Sequence, residues 1–392
     1  SSENIIREME FLHRTYGFTG YMCYDDATEI LTRKRGYVYF KDLLPEDEVA
    51  CLDPATNMLG YEVPRHIIDK TFSGELVIFK GKSFDLAVTP EHQMWTTKYK
   101  KQSYRHLTAQ EMLNQRTPSQ FLQRAEWNGR EVLHFSIPAY KTKYLGRKHG
   151  SPKVLDGERS FPAKAWIRFM AWYLSEGSSY RPKVRNGRGY RICIKQHEKT
   201  NLQNVNEIRE IIEELGYNYS YSSNQFHIDS RELYEYLHEF GTSHKKYVPP
   251  EFKDMSRELI ALFIETYTKG DGHLAKRGQG VIVSFSSRMR SDLCEMAIKA
   301  GYWACENNIH KTVSITRQRD VGVNEPSGCR NNISKQTYSG TVYCVTVSTG
   351  IVLVRRNGKS VWCGNCYDDE LNVNPGMVGL MDLIADMQDQ LG

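Results

Sequence analysis

At 392 residues the chain exceeds the roughly 250–300 at which one hydrophobic core stops growing, so a single compact module is excluded. Apolar residues at 40% and charged residues at 25% describe a folded chain, and no apolar stretch approaches the roughly 20 residues of a membrane span. A net charge of +5 permits a nucleic-acid partner without requiring one, and nine cysteines scattered from Cys23 to Cys366 do not read as a disulfide framework.

In chain order, the opening SSENIIREMEF lacks the basic head and apolar centre of a signal peptide, so the expected compartment is the cytoplasm, where thiols stay reduced. The segment Gly17-Phe-Thr-Gly-Tyr-Met22 leads into Cys23-Tyr-Asp-Asp26, a tetrapeptide that recurs at Cys366-Tyr-Asp-Asp369. Joining Met22 to Cys366 gives a strand followed by a polar loop, as though residues 23 to 365 were an insertion. Residues 27 to 97 read as short β runs with turn signals, and 338 to 362 resume the same style. Between them, roughly 140 to 335, helical patterns at 163–174, 205–215, 231–240, 257–267 and 291–300 alternate with strands at 190–195 and 280–285. The Lys-, Arg-, Gly- and Pro-rich stretch 141–160 and the stretch 322–335 read as linkers. The pattern predicts an all-β domain interrupted by a mixed one.

The junctions carry the chemistry. An asparagine side-chain amide can attack its own backbone carbonyl and cut the chain after itself, and a cysteine immediately downstream can hold an acyl group as a thioester; Asn365-Cys366 supplies both. At the other junction the Cys23 thiol can attack the Met22 carbonyl, an uphill exchange that needs help. Thr89-Pro-Glu-His92 offers a hydroxyl and an imidazole suited to polarising a carbonyl and protonating a departing nitrogen.

Taken together, these features resemble an intein, a protein-splicing domain of the Hint superfamily. Cys23-Tyr-Asp-Asp-Ala-Thr-Glu-Ile-Leu is similar to its first motif and residues 81 to 97 to its second, while Val342-Tyr-Cys-Val-Thr-Val347 and Val361-Trp-Cys-Gly-Asn365 are similar to its two C-terminal motifs. The resemblance implies a horseshoe-shaped all-β fold and cofactor-free splicing. Cys23 would take the Met22 acyl group with help from Thr89 and His92, Cys366 would receive it, and Asn365 would cyclise to leave a Met22–Cys366 bond. The chain departs from the family pattern at Gly364, where a histidine is usual, and at Cys344, where aspartate is frequent. Cys363 and Cys366 have the spacing of a redox pair.

Within the insert, Phe169-Met-Ala-Trp-Tyr-Leu-Ser-Glu-Gly177 and Ile264-Glu-Thr-Tyr-Thr-Lys-Gly-Asp-Gly272 each end a helix pattern on an acid, Glu176 and Asp271, against the helix dipole. Each is followed by strands and by a helix closing on Leu-Gly-Tyr217 or Ala-Gly-Tyr302, an internal duplication. These features resemble a LAGLIDADG homing endonuclease. That resemblance implies an α+β two-repeat domain, a divalent metal such as Mg²⁺ on Glu176 and Asp271, double-stranded DNA at the insertion site as partner, and a catalytic lysine best matched by Lys246. The basic, tyrosine-interleaved stretch 180–200 nominates Arg181, Lys183, Arg185, Arg188, Arg191 and Lys195 for DNA contact.

The expected division is a host flank at 1–22, splicing-domain parts at 23–140 and 336–365 around an endonuclease at 141–335, and a second flank at 366–392, in a monomer without membrane contact. The joined flanks resemble a barrel segment of radical-SAM enzymes. Two other readings stay open: an intein whose nuclease binds DNA without cutting it, and a DNA-binding protein whose β domain is an inert scaffold.

Overall fold

The computed structural model describes residues 22–98, 101, 103–115, 117–138, 158–184, 187–275, 278–317, 321–323 and 332–365. These fall into two compact units: the described residues up to 123 together with those from 321 onward, and those from 124 to 317. The fold is mixed α/β, with open sheets whose strand pairings are antiparallel. No helix among the described residues is long and apolar enough to cross a membrane.

In the first unit the longest pairing joins His66–Lys80 to Ile333–Thr346, in register from Ile333 opposite Phe79 to Thr346 opposite His66. The second of these strands takes in the last three residues of the stretch that composition assigns to a linker. Its partner supplies the reason: Ile333, Ser334 and Lys335 lie opposite Phe79, Ile78 and Val77, and the ladder overrides their polarity. A second sheet centres on Glu29–Thr32, flanked by Gly36–Tyr39 and Ile351–Arg356, and Ile351–Arg356 pairs on with Lys359–Gly364. The turn between those last two strands is Asn357-Gly358, both at positive φ, as a two-residue hairpin requires. Ile351–Arg356, Lys359–Gly364 and Asp85–Val88 are buried along nearly their whole lengths, so their apolar residues run together, as at 351–354, 361–363 and 86–88, instead of alternating. One core gathers Tyr24, Ile30, Val77, Phe79, Phe84, Val88, Val352, Val361 and Cys363.

In the second unit the duplication is visible in the topology. Helix Ala163–Glu176 runs into strand Gly177–Tyr180, and the sheet order is Gly177–Tyr180, Arg191–Lys195, Gln225–Asp229, Ser220–Ser222. Helix Arg257–Asp271 runs into Gly272–Leu274, and the matching order is Gly272–Leu274, Gly280–Val283, Thr312–Arg317, Tyr302–Asn307. Helices Leu202–Glu214 and Ser287–Lys299 both stop at a left-handed glycine, Gly216 at φ +71° and Gly301 at φ +92°, as the Leu-Gly-Tyr and Ala-Gly-Tyr endings predict.

Gly177 and Gly272 serve a different end. Both are extended, and a Cβ on either would come within 2.5 Å of a main-chain oxygen, that of Tyr173 or Val281. Glycine is needed for close approach, not for a turn.

Candidate functional sites

Backbone pairing fixes the N-terminal junction of the first unit. Tyr24 and Tyr343 exchange main-chain hydrogen bonds of 2.8 and 2.9 Å, and Asp25 N donates to Ala87 O at 3.0 Å. Cys23 is thereby buried at the end of strand Asp85–Val88, where its N–H donates to Thr89 Oγ1 (3.0 Å) and Thr89 N–H donates to its carbonyl (3.0 Å). The loop after that strand is tight, with His92 N donating to Thr89 O (3.0 Å), so hydroxyl and imidazole stay together. The His92 ring stands edge-on to Tyr24, centroids 4.3 Å apart, and its Nε2 lies 3.4 Å from Cys363 Sγ.

The C-terminal junction is built from the strand Lys359–Gly364. Tyr24 Oη donates to Gly364 O (2.5 Å), Asn365 N donates to Gly350 O (3.1 Å), and Asn365 Nδ2 donates to Val347 O (3.1 Å). Sequence reasoning missed Tyr24 as the residue that touches both junctions, although it stands inside the repeated tetrapeptide. It also missed His106. A Cβ on Gly350, which sits at φ +73°, would lie 3.8 Å from Asn365 Oδ1 and 4.0 Å from His106 Nε2, so the carboxamide and the imidazole face the same gap. Burial pushes His106 below the usual histidine range, and its ring packs on Trp95 at 4.9 Å. No motif marks His106; only tertiary placement brings it there.

The remaining nominated residues of this unit divide. Cys344 is buried, with Sγ 3.5 Å from Val345 O, next to the Tyr343 that pairs with Tyr24. Cys363 is fully buried and its thiol is pushed up to about 12 by that burial, the opposite of the low-pKa thiol that a redox pair needs. Gly364 has no room for a side chain, since a Cβ would overlap the Gln93 carbonyl oxygen. Cys366 lies outside the described residues.

In the second unit the two acid-ended helices pack together where a Cβ on Gly270 would sit 2.5 Å from Ser175 Oγ and 3.0 Å from Glu176 Cγ. The small residue lets the helix ends close, and the carboxyls come near enough to feel one another. Glu176 is pushed up to about 7 by burial first and by Asp271 second, and Asp271 to about 6 by burial. Gln196 Nε2 donates to Glu176 Oε1 (3.2 Å) and its own Oε1 accepts from Asn201 Nδ2 (3.0 Å), a support that sequence reasoning missed. Two adjacent carboxylates whose ionised forms are disfavoured are a hard-oxygen donor set that suits Mg²⁺, Mn²⁺ or Ca²⁺.

Lys246 is buried, and its ammonium donates all three protons to carbonyls at the end of helix Ala163–Glu176: Tyr173 O (2.8 Å), Leu174 O (3.0 Å) and Gly177 O (2.7 Å). It caps the negative helix end. Burial pushes it down to about 8, against the raising influence of Asp271 and Glu176.

Among the basic residues, Arg181 and Lys183 are exposed, Arg181 lying 4.6 Å over the Tyr190 ring, and Lys195 is exposed. Arg191 is committed to Asp229 through two bonds of 2.7 and 2.8 Å. Arg185 lies outside the described residues, as does the side chain of Arg188.

No protein-family model matches the chain. Among curated proteins it is similar to the ATP-dependent Clp protease proteolytic subunit of Chlamydomonas moewusii, 24% identical over 288 residues that make up 70% of this chain and 27% of the relative. It is similar also to the C-terminal section of DNA-directed RNA polymerase subunit beta of Stigeoclonium helveticum, 23% identical over 86% of this chain and 36% of the relative. A third relative is ribonucleoside-diphosphate reductase subunit beta of Aquifex aeolicus (strain VF5), 20% identical over 93% and 52%. The chain thus spans between 27% and 52% of these relatives. Among solved structures it is similar to the homing endonuclease I-DmoI in complex with DNA and Mn, at TM-score 0.30 and 13% identity over 40% of this chain and 90% of that one. Another neighbour is the AceL NrdHF class 3 split intein, at TM-score 0.22 and 18% identity over 44% and 97%.

Proposed function

We propose that this chain is a self-splicing intein interrupted by a metal-dependent homing endonuclease. The first unit excises residues 23 to 365 and joins Met22 to Cys366. The observation that carries the reading is the convergence in one buried place of Cys23, Thr89, His92 and Asn365, which the sequence spreads over more than three hundred positions. The curated relatives add support: their names belong to three unrelated activities, as expected where the shared stretch is an insertion and not the host protein.

In this reading Cys23 takes the Met22 acyl group, aided by Thr89 and His92. Cys366 receives it, and Asn365 then cyclises. His106, facing the Asn365 carboxamide across Gly350, supplies the acid–base help that residue 364 cannot, as a neutral imidazole. In the second unit Glu176 and Asp271 hold a divalent cation, which when bound polarises phosphate and water for hydrolysis of DNA strands. Gln196 orients Glu176, Lys246 holds the helix end beneath it, and Arg181, Lys183 and Lys195 remain available for phosphate.

The test is the mass of the purified full-length chain after incubation. A ligated 49-residue product, residues 1–22 joined to 366–392, establishes splicing; an unchanged mass refutes it. The nuclease is tested on DNA spanning the uninterrupted insertion site, with Mn²⁺ or Mg²⁺ against a chelator. Equal cutting of interrupted and uninterrupted DNA removes the homing interpretation.

A further inference from the structure

We infer that Cys363 is a positioning residue whose S–H donates to His92 Nε2 and so keeps the His92 proton on Nδ1. The inference rests on the splicing reading for its consequence, though not for its geometry. Cys363 Sγ and His92 Nε2 are 3.4 Å apart, and both residues are completely buried. The other acceptors of that thiol are farther away, Met94 Sδ at 3.8 Å and Gln93 O at 3.9 Å. A neutral imidazole carries one proton, so the nitrogen that accepts decides where the proton sits, as the second partner of a histidine generally does. Burial holds the thiol in its protonated form, so it has a proton to donate to the ring, and the inference assigns Nε2 as the acceptor.

Two further contacts make the arrangement rigid. The ring is wedged edge-on against Tyr24, whose hydroxyl is fastened to the Gly364 carbonyl. The His92 main chain is tied at both ends, N–H to Thr89 O and carbonyl to Ala109 N–H (2.9 Å). The strand bearing the C-terminal junction therefore sets the protonation pattern of the group that serves the N-terminal one.

The chemical consequence concerns the first step. Cys23 Sγ bonds to the Met22 carbonyl carbon, the carbon–nitrogen bond to Cys23 breaks, and the departing nitrogen takes the proton from His92 Nδ1. The proton released by the Cys23 thiol restores the imidazole, so the step balances without a co-reactant. The opposite tautomer has no proton on Nδ1 to give.

The experiment uses the full-length chain and two substitutions, Cys363→Val, which keeps the shape and removes the donor, and Cys363→Ser, which keeps a donor. The first readout is the His92 tautomer by ¹⁵N NMR of histidine-labelled protein held as precursor by Cys23→Ala with Asn365→Ala. The second is hydroxylamine cleavage at Met22–Cys23 in chains that retain Cys23. The expected result is a proton on Nδ1 with cysteine or serine at 363 and a mixture with valine, together with cleavage about tenfold slower for valine and near the original rate for serine. An unchanged tautomer in Cys363→Val, or equal slowing in both variants, overturns the inference. If the unsubstituted chain never cleaves at Met22, the splicing reading falls, and the tautomer ratio alone then upholds or overturns the Cys363 contact.

Discussion

Around Cys23 and Asn365 the first unit places neutral groups: hydroxyls of Thr89 and Tyr24, a thiol pushed up to about 12, and an imidazole held below its usual range. Around Glu176 and Asp271 the second unit does the reverse, burying two carboxyls until both are pushed toward neutral pH beside a lysine pushed down to about 8. Under the proposed function the difference follows from where each substrate comes from. An intramolecular substrate is already in place and requires only proton management and fixed geometry. A substrate arriving with phosphates and a cation requires charge that waits, at an energetic cost, for its partner.

Removing a nucleophile from the neutral site has the largest expected effect. Cys23→Ala abolishes cleavage at Met22–Cys23, and Asn365→Ala blocks release of the insert while leaving a thioester or branched species, both read by mass spectrometry. Ligated flanks from either variant would break the comparison at its first term. Next in size, Glu176→Gln with Asp271→Asn lowers metal-dependent DNA cleavage by at least about a hundredfold while splicing proceeds at its original rate. Binding persists in a gel-shift assay, because contacts to phosphate do not depend on the acids. Parallel loss of splicing would show that the two sites are not separate.

Much of the neutral site is legible in the sequence, because Cys23, Thr89-Pro-Glu-His92 and Asn365 sit at fixed positions in local motifs. His106 was not legible: it comes to the Gly350 gap only through the pairing of Arg105–Thr108 with Gln93–Lys98, and its neighbours in sequence carry no signal. Lys246 was named only through the endonuclease resemblance, and where its three protons go is a fact of helix ends, which a linear reading does not see. The end of the 322–335 stretch is strand for a similar reason, since the composition of Ser334 and Lys335 says nothing of the strand waiting opposite; residues 324–331 lie outside the described residues.

Two smaller effects sharpen the account of the neutral site. His106→Ala is expected to slow asparagine cyclisation about tenfold, seen as accumulation of the intermediate, with the N-terminal step untouched. Equal slowing of both steps would assign the loss to packing on Trp95 instead. The histidine that the resembling family carries before its terminal asparagine is not an improvement here. Gly364→His, and even Gly364→Ala, drives a Cβ into the Gln93 carbonyl and costs about 1–3 kcal/mol in chemical denaturation, with slower splicing. Faster splicing from Gly364→His would mean that the strand shifts to accept it.

The smallest expected effect tests the charge stored in the second unit through its pH dependence. Glu176 has its proton affinity raised in the folded chain, from 4.5 to about 7, chiefly by burial and then by Asp271. Between those values the unfolded chain has lost the proton that the folded chain still holds, so the contribution of this group to stability falls as pH rises. It is fully lost above pH 7, where the desolvated carboxylate must be charged. Glu176→Gln never ionises, so the variant gains on the parent from about pH 4.5 to 7 and the gap is flat beyond. Because the group is only partly buried, the gap is on the order of 1 kcal/mol, about 2–4 °C in Tm for a unit of this size. Divalent cation added at pH 8 stabilises the parent more than the variant, since one of two ligands is gone. A gap that does not change with pH, or a parent more stable than the variant at pH 8 without metal, means that Glu176 is solvated in the folded chain and that the second unit stores no charge for a cation.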